Sequence, residues 1–216
     1  MDTSPQQPAL SLCSRVLKRT LDLTCSVCGL LIFGWAIGLA WVVMSLETKE
    51  PGFFAQERVG RNGKLFKVIK IRTMRSTEYE NTTVTIAHDT RITRIGKFLR
   101  KYKIDELPQL INVVKGEMSL IGPRPDVPGF ADKLTGMDRT ILSVRPGISG
   151  VASLAFRSEE ELLANQPDPE TYNAEVVYPE KTRLNLIYIA QYSVIRDIGY
   201  ILESITGVKF VKNDGR

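Results

Sequence analysis

The longest apolar stretch of the chain, residues 23–46, contains no charged residue. About 20 apolar residues are enough for a helix to cross the hydrocarbon core of a bilayer. The stretch is too long for the apolar part of a cleaved signal peptide, and no small-residue cleavage site is evident after it. The pattern predicts a membrane-associated helix over residues 12–48, preceded by a polar lead-in at residues 1–11 that we expect to be disordered.

Basic residues flank this helix on both sides: Arg15, Lys18 and Arg19 before it, and Lys49, Arg58, Arg61 and Lys64 after it. A single span would carry one of these flanks to the outer face, against the positive-inside tendency. A re-entrant helix, which enters and returns on the same face, would keep both flanks inside. Gly34 and Gly38 lie where it would bend, because glycine weakens a helix. The charge pattern leaves the re-entrant helix and the ordinary span as alternatives.

After residue 48 the pattern predicts an α/β domain over residues 49–216, mostly helical, with few short strands. Asn62-Gly63 is typical of a hairpin turn. Residues 65–72 alternate apolar and basic side chains over part of their length, as in a half-exposed strand. The hairpin is followed by a polar stretch at residues 76–89, which we expect to form a loop.

Two later stretches have helical patterns. Residues 90–102 form an apolar stripe beside many basic side chains, which is typical of a helix on a membrane surface. Residues 184–205 are strongly apolar with interspersed tyrosines, a composition that fits an interfacial helix and a core helix equally well.

Two adjacent carboxylates, Asp105 and Glu106, stand just before a short apolar helical pattern. Pro108 fits the first turn of that helix, and Gly116 fits its end. The carboxylates therefore lie near free N–H groups and the positive end of a helix dipole, a setting that favours an ionised carboxylate and a neighbouring phosphate. Basic residues bracket them: Arg94, Lys97, Arg100, Lys101, Lys103, Lys115 and Arg124.

This stretch has two interpretations. In the first, the carboxylates supply an anionic nucleophile or a metal ligand in surroundings that attract phosphate. In the second, they belong to an acidic first helical turn with surface lysines. Two rigid turns beyond it, Gly122-Pro123-Arg124-Pro125 and Arg145-Pro146-Gly147, each fix one arginine. An arginine held in this way can bind a phosphate through two N–H groups, although it can also be a solvated residue on a structural turn.

Composition narrows the possible partners. The net charge of +5 and the sequence pI of about 9.1 favour nucleic acid, acidic lipid headgroups or a phosphorylated substrate. The three cysteines, an odd number, do not make a disulfide framework, and the Cys25 and Cys28 pair lies in the apolar run, where packing explains it. His88, the only histidine, has no serine or cysteine arranged with it, so we expect it to be incidental.

The ordered motifs resemble those of the bacterial sugar transferases called small monotopic phosphoglycosyl transferases, from about residue 15 to residue 210. The motifs are Lys18-Arg19-Thr20-Leu21-Asp22, Phe53-Phe54-Ala55-Gln56-Glu57-Arg58-Val59-Gly60, Lys70-Ile71-Arg72-Thr73-Met74, Arg94-Ile95-Gly96-Lys97-Phe98-Leu99-Arg100, Asp105-Glu106-Leu107-Pro108-Gln109-Leu110, Lys115-Gly116-Glu117-Met118-Ser119-Leu120-Ile121-Gly122-Pro123-Arg124-Pro125 and Val144-Arg145-Pro146-Gly147-Ile148-Ser149-Gly150.

The resemblance implies a reaction at the cytoplasmic face of the bacterial inner membrane. A phosphosugar passes from a UDP-sugar to polyprenol phosphate with release of UMP, the first membrane step of glycoconjugate synthesis. Asp105 takes the role of the nucleophile, forming a covalent phosphosugar intermediate, and Glu106 takes a partner role with Mg²⁺. Arg100 and Arg124 match phosphate-binding arginines, and Lys70, Arg72 and Arg145 complete the candidate phosphate-binding set.

The sequence departs from the family pattern at two places. The Ser-Pro at the usual membrane break is replaced here by Gly34-Trp35, and the usual Trp-Ala-Gln run after Gly150 is replaced by Val151-Ala152-Ser153. The second departure leaves the sugar open. We also expect the catalytic unit alone, without the additional transmembrane helices of longer relatives. A glycosyltransferase that releases UDP, and a non-catalytic polybasic membrane adaptor, are the alternative functions. Because the sequence has no recognised nucleic-acid motif with aromatic residues among basic ones, we expect no nucleic-acid partner.

Overall fold

The computed structural model describes residues 12–76 and 90–211. The predicted lead-in at 1–11, and all but the first residue of the predicted loop at 76–89, including His88, lie outside these ranges. Within them the protein is mostly helical with four short strands, as expected from the sequence.

The predicted membrane-associated helix is α1, Leu12–Thr48. It is helical throughout, including Gly34 and Gly38, where a bend was expected. At 1.5 Å per residue, 37 residues extend for about 55 Å, well beyond the ~30 Å hydrocarbon core of a bilayer. By length and composition, it is the one helix in the described ranges that could cross a membrane.

The two ends of α1 pack against the rest of the protein, but its middle does not. Its buried residues fall into two groups: Lys18, Asp22 and Ser26, then Ile37, Ala40, Met44 and Thr48. Within each group they recur every three or four residues, so each group forms one helical face. Between the groups, residues 31–35 are all exposed, including Leu31 and Trp35. The middle of the helix therefore stands clear of the folded body.

A β-hairpin follows α1. Strands β1, Phe53–Val59, and β2, Leu65–Ile71, pair antiparallel, and Asn62 at the turn adopts the left-handed conformation with φ 59°. The predicted hairpin is therefore confirmed. Arg58 lies opposite Phe66, and Phe54 lies opposite Lys70, so Arg58 and Lys70 point to the same face of the hairpin.

The elements around the two carboxylates come next. They are α2, Arg94–Lys101; a 3-10 turn, Ile104–Glu106; and α3, Gln109–Lys115. Helix α2 is shorter than the predicted 90–102, because Thr93 caps it by accepting a hydrogen bond from the Gly96 N–H. Helix α3 ends at Gly116 with φ 86°, as the sequence predicted.

The remaining elements form the other half of the body. They are β3, Ser119–Ile121; 3-10 turns at Ala131–Lys133 and Asp138–Ser143; β4, Gly147–Ser149; α4, Val151–Ala155; α5, Glu159–Ala164; α6, Pro169–Tyr172; a π-helical turn at Asn173–Val177; α7, Tyr178–Ala190; and α8, Val194–Thr206. Strands β3 and β4 pair in parallel. The rigid turn predicted at Arg145-Pro146-Gly147 thus leads into a strand that begins at Gly147.

The apolar stretch at 184–205 is two helices rather than one, because Ser193 is extended between α7 and α8. Its apolar side chains are partly buried and partly exposed. Tyr188 and Tyr200 are buried in the main core, whereas Ile195 is 82% exposed and Ile205 is 78% exposed on α8.

Lys18 joins the membrane-associated helix to this core. Its Nζ lies 2.6 Å from Asp197 Oδ2 on α8 and donates to the carbonyl of Ile121 at 2.9 Å. Tyr188 Oη donates to the other carboxylate oxygen of Asp197 at 2.8 Å. A buried ion pair is tolerated only when it is well hydrogen-bonded, as this one is.

Asp197→Asn keeps the shape of the side chain but removes the charge that is paired with Lys18. Breaking a buried pair from one side costs about 3–5 kcal/mol, so we expect the free energy of unfolding in detergent to fall by about 3 kcal/mol. The matched control is Glu180→Gln, which removes the exposed ion pair with Arg183; its effect should stay under about 1 kcal/mol. Equal losses in the two variants would contradict the anchoring role of Lys18.

Candidate active site

Asp105 and Glu106 lie in the 3-10 turn between α2 and α3. Lys103, in the left-handed conformation with φ 57°, turns the chain out of α2, and Pro108 with φ −61° directs it into α3. A non-glycine residue rarely adopts a left-handed backbone, so this turn is held by its surroundings. Both carboxylates point inward, leaving Asp105 7% and Glu106 9% exposed.

Glu106 is compensated by two cations. Its Oε1 accepts a hydrogen bond from Arg124 Nη2 at 2.6 Å and one from Lys70 Nζ at 3.3 Å. Burial by itself would raise the pKa of Glu106, but the charges of Arg124 and Lys70 outweigh burial and hold that pKa well below its usual range. Glu106 is therefore ionised at neutral pH.

Asp105 has no hydrogen-bonded cation of this kind within the described ranges. Its Oδ1 is buried and has no hydrogen-bond partner within the described ranges. Burial, and then the adjacent charge of Glu106, raise the pKa of Asp105 to about 6. A buried carboxylate oxygen without a partner is costly in a folded protein, which is typical of a group kept available for a ligand or a reaction.

The two cations that contact Glu106, Lys70 and Arg124, come from two different parts of the fold. Lys70 comes from β2, and burial lowers its pKa to about 8 against the opposing effect of Glu106. Arg124 follows β3 in the turn Gly122-Pro123-Arg124-Pro125, here called the Arg124 turn. Gly122 is required there, since a Cβ at that residue would lie 2.6 Å from the carbonyl oxygen of Arg145. The Arg124 side chain remains 41% exposed, so part of it is accessible from outside the protein.

The other predicted phosphate-binding residues have different partners. Arg100 forms an ion pair with Glu160, and its charge lies near enough to Asp105 to oppose the larger effects of burial and Glu106 on that pKa. Arg72 forms an ion pair with Glu50 at 2.9 Å, close to the end of α1. Arg145 donates to the carbonyl of Gly116 at 2.8 Å, at the end of α3.

The structure therefore brings three of the predicted basic residues, Lys70, Arg100 and Arg124, to the two carboxylates. Arg72 and Arg145 are occupied with contacts that support neighbouring elements. Arg58, which lies one residue before the end of β1 and opposite Phe66, is a further basic residue on the same face as Lys70. It is absent from the phosphate-binding set predicted from the sequence. The hairpin register and the period of two along a strand would have indicated it.

The donor set fits Mg²⁺. This cation prefers hard oxygen ligands and is often held by one or two carboxylates together with substrate phosphates. Asp105 and Glu106 are adjacent, and the unpartnered Oδ1 of Asp105 is an available ligand. Within residues 12–76 and 90–211, no group of three or more metal-ligating side chains is present, so substrate oxygens would have to complete the coordination.

The family model of the bacterial sugar transferases matches residues 13–210 of this chain. The chain belongs to the bacterial sugar transferase family. The match spans α1, the hairpin, both carboxylates and the Arg124 turn, so all the elements of the site lie within it.

Similar members of the family are named for several sugars. Over 87% of this chain, the sequence is 36% identical to the galactosyl transferase CpsE of Streptococcus agalactiae. Over 96% of this chain, it is 34% identical to the undecaprenyl-phosphate glucose phosphotransferase of Komagataeibacter xylinus. It is 40% identical to the UDP-N-acetylgalactosamine-undecaprenyl-phosphate N-acetylgalactosaminephosphotransferase of Aeromonas hydrophila over 64%. The matches cover 41%, 38% and 34% of those three proteins, respectively.

In this transferase, Asp105 should reduce the stability of the fold when it is ionised. The folded pKa of Asp105, about 6, lies above the ordinary value of 3.8. The contribution of Asp105 to stability is therefore greatest below pH 3.8 and is lost as the pH rises through 6. A tenfold change in proton affinity is worth about 1.4 kcal/mol, so the full loss is on the order of 3 kcal/mol.

Asp105→Asn removes that cost. We expect the variant to be more stable than wild type at pH 7.5, by up to about 3 kcal/mol, in thermal unfolding without added metal. The difference should fall to under about 0.5 kcal/mol near pH 3.5, where Asp105 is protonated in the folded state and mostly protonated in the unfolded state. Asp138→Asn, at an exposed aspartate outside the site, is the control. A lower stability of Asp105→Asn at pH 7.5 would contradict this description of the site.

Proposed function

We propose that this chain transfers a phosphosugar from a UDP-sugar to polyprenol phosphate in the membrane and releases UMP. The observation that carries the proposal is the asymmetry of the carboxylate pair. Glu106 is bound by Arg124 and Lys70, while the adjacent Asp105 is buried with an unpartnered oxygen. A buried carboxylate that has an oxygen free of hydrogen bonds and lies among basic side chains is suited to attack phosphorus.

The reaction has two displacements. A carboxylate oxygen of Asp105 attacks the phosphorus next to the sugar, forming an acyl phosphate as the bond to the second phosphate breaks and UMP leaves. An oxygen of polyprenol phosphate then attacks the same phosphorus. The acyl phosphate bond breaks, Asp105 is regenerated, and the product is a polyprenyl diphosphate sugar. The covalent intermediate divides one difficult transfer into two easier ones.

The surrounding residues offset the repulsion between a carboxylate and a pyrophosphate. Arg124 presents a planar fork that can bind two phosphate oxygens, and its side chain is accessible. Arg100 lies on the Asp105 side of the site. Glu106 keeps Lys70 and Arg124 in position through hydrogen bonds that already exist in the free protein, so little reorganisation is needed during the reaction.

Asp105 and Glu106 are the residues that would hold Mg²⁺. When bound, Mg²⁺ would neutralise charge on the pyrophosphate and on the departing UMP. The unpartnered oxygen of Asp105 and the ionised state of Glu106 support this assignment.

The decisive experiment incubates the purified protein with Mg²⁺, a polyprenol phosphate and a panel of UDP-sugars, and measures UMP. Asp105→Asn keeps the fold and removes the nucleophile, so we expect turnover to fall by at least about 10³-fold. EDTA should abolish UMP release by the wild type. Without acceptor, the intact mass of the wild type should increase by one phosphosugar.

Three results would contradict the proposal. Release of UDP instead of UMP would indicate a true glycosyltransferase, and near-normal turnover of Asp105→Asn would remove the nucleophile assignment. Binding to anionic vesicles without turnover of any UDP-sugar would indicate a membrane adaptor.

We further propose that α1 is re-entrant, with the catalytic body on the cytoplasmic face of the inner membrane. Lys18 near one end of α1 is bonded to Asp197, and Glu47 near the other end accepts a hydrogen bond from Thr93 at 2.8 Å. Both ends thus contact one folded body, and a polar body cannot lie on both sides of a bilayer. The exposed apolar segment at 31–35 would enter the lipid.

Apolar side chains on two other helices support an interfacial position. On α8, Ile195, Leu202 and Ile205 are exposed, and on α2, Phe98 is exposed. Apolar faces of this kind suit a helix that lies along the membrane surface. We propose that they contact the same leaflet into which α1 inserts.

Cys13, at the exposed start of α1, can test this topology. In a variant with Cys25 and Cys28 replaced by alanine, Cys13 is the sole cysteine. In sealed spheroplasts, a thiol reagent that cannot cross the membrane should leave it unlabelled until the cells are permeabilised. Lys64→Cys on the hairpin, in a background without the three native cysteines, is the control. Labelling of Cys13 but not of the Lys64→Cys protein in sealed cells would show a full span.

A further inference from the structure

The Arg124 turn depends on other parts of the chain for its hydrogen bonds. Pro123 and Pro125 have no N–H, so the turn offers more acceptors than donors. On one side, Gly147 N–H donates to the carbonyl of Pro123 at 2.8 Å. On the other side, the end of β1 supplies two donors: Val59 N–H to the carbonyl of Asp126 at 2.9 Å, and Arg58 Nη1 to the carbonyl of Pro125 at 3.2 Å.

Arg58 is itself held in place. Its second terminal nitrogen, Nη2, donates to Gln56 Oε1 at 2.6 Å. Gln56 and Arg58 are two residues apart on β1, so they point to the same face of the hairpin. The planar guanidinium can make both bonds at once, which a lysine cannot do with comparable geometry.

We propose that Arg58 is a positioning residue that fixes the Arg124 turn, so that Arg124 reaches both Glu106 and the donor phosphates. The contacts form one continuous path from Gln56 through Arg58 and the carbonyl of Pro125 to Arg124. Arg58 acts on the reaction through Arg124 and does not itself bind the substrate. The inference rests on the proposed function.

The placement of Arg58 is costly, which argues against a purely structural role. Burial and the neighbouring charge of Arg124 lower the pKa of Arg58 to about 10, against the opposing effects of Asp126 and Glu106. A neutral donor could hold the carbonyl of Pro125 without placing two guanidinium groups close together. The positive charge of Arg58, however, repels the Arg124 side chain. This repulsion disfavours a position of Arg124 closer to β1 and so directs its guanidinium to Glu106.

A double-mutant cycle tests the proposal. Arg58→Ala, Arg124→Ala and the double variant are compared with wild type by kcat/KM for UMP release. Affinity for UDP, which remains measurable when turnover is slow, is the second readout. We expect Arg58→Ala alone to lower kcat/KM by about 10- to 100-fold, and the double variant to lie within about threefold of Arg124→Ala, because residues that act through one another are not additive.

The conservative variant and the control sharpen the result. Arg58→Lys keeps one donor and should recover part of the loss. Arg61→Ala removes an exposed arginine of the same hairpin that also donates to a backbone carbonyl, that of Ser143; it should leave kcat/KM within about twofold of wild type. If Arg58→Ala does not fold, Gln56→Leu, which removes only the partner of Arg58, enters the cycle in its place.

Two kinds of result would overturn the inference about Arg58. Losses that multiply in the double variant would show that Arg58 acts on the substrate independently of Arg124, and would overturn the inference. So would normal kinetics in a folded Arg58→Ala protein or, where Gln56→Leu takes its place, in the Gln56→Leu protein. If the wild type neither releases UMP nor binds UDP, the proposed function fails first, and that failure is visible without any variant.

Discussion

The structure depends on the burial of two adjacent carboxylates. Like charges on Asp105 and Glu106 could not both be buried without compensation, and the fold compensates only one of them. Lys70 and Arg124 converge on a single oxygen of Glu106, while Asp105 keeps an unpartnered oxygen. Their pKa values are thereby separated, with Asp105 at about 6 and Glu106 well below its usual range. Two neighbouring groups of the same chemistry are thus given different roles by their surroundings.

The membrane-associated helix is part of the framework of this site. Arg19 on α1 donates to the carbonyls of Val113 and Val114 at 2.7 and 3.1 Å, and so caps the C-terminal end of α3, where a helix needs external donors. Asp22 accepts hydrogen bonds from Leu120 N–H and the Ser119 hydroxyl on β3, both at 3.0 Å. Helix α1 therefore braces α3, which follows the carboxylates, and β3, which leads into the Arg124 turn. The position of α1 and the geometry of the site are therefore coupled through these contacts.

The sequence predicted local features well and long-range contacts poorly. The hairpin turn at Asn62-Gly63, the end of α3 at Gly116 and the long apolar helix each depend on a few neighbouring residues, and all three were confirmed. The break between α7 and α8 was missed because no glycine or proline marks it. The rings of Tyr188 on α7 and Tyr200 on α8 have centroids 6.1 Å apart, and both side chains are buried in the same core. Arg58 was missed because its partner carbonyl lies 67 residues away in the chain.

By itself, the sequence determined the pair of carboxylates, the rigid turn that carries Arg124 and the excess of basic residues around them. The tertiary structure decided which of these basic residues reach the carboxylates. Lys70 and Arg124 reach Glu106 across 36 and 18 residues of chain, whereas Arg72 binds Glu50 and Arg145 binds the end of α3. The physical reason is that charge and turn propensity are encoded by nearby residues, whereas the pairing of a buried ion depends on which distant elements pack beside it.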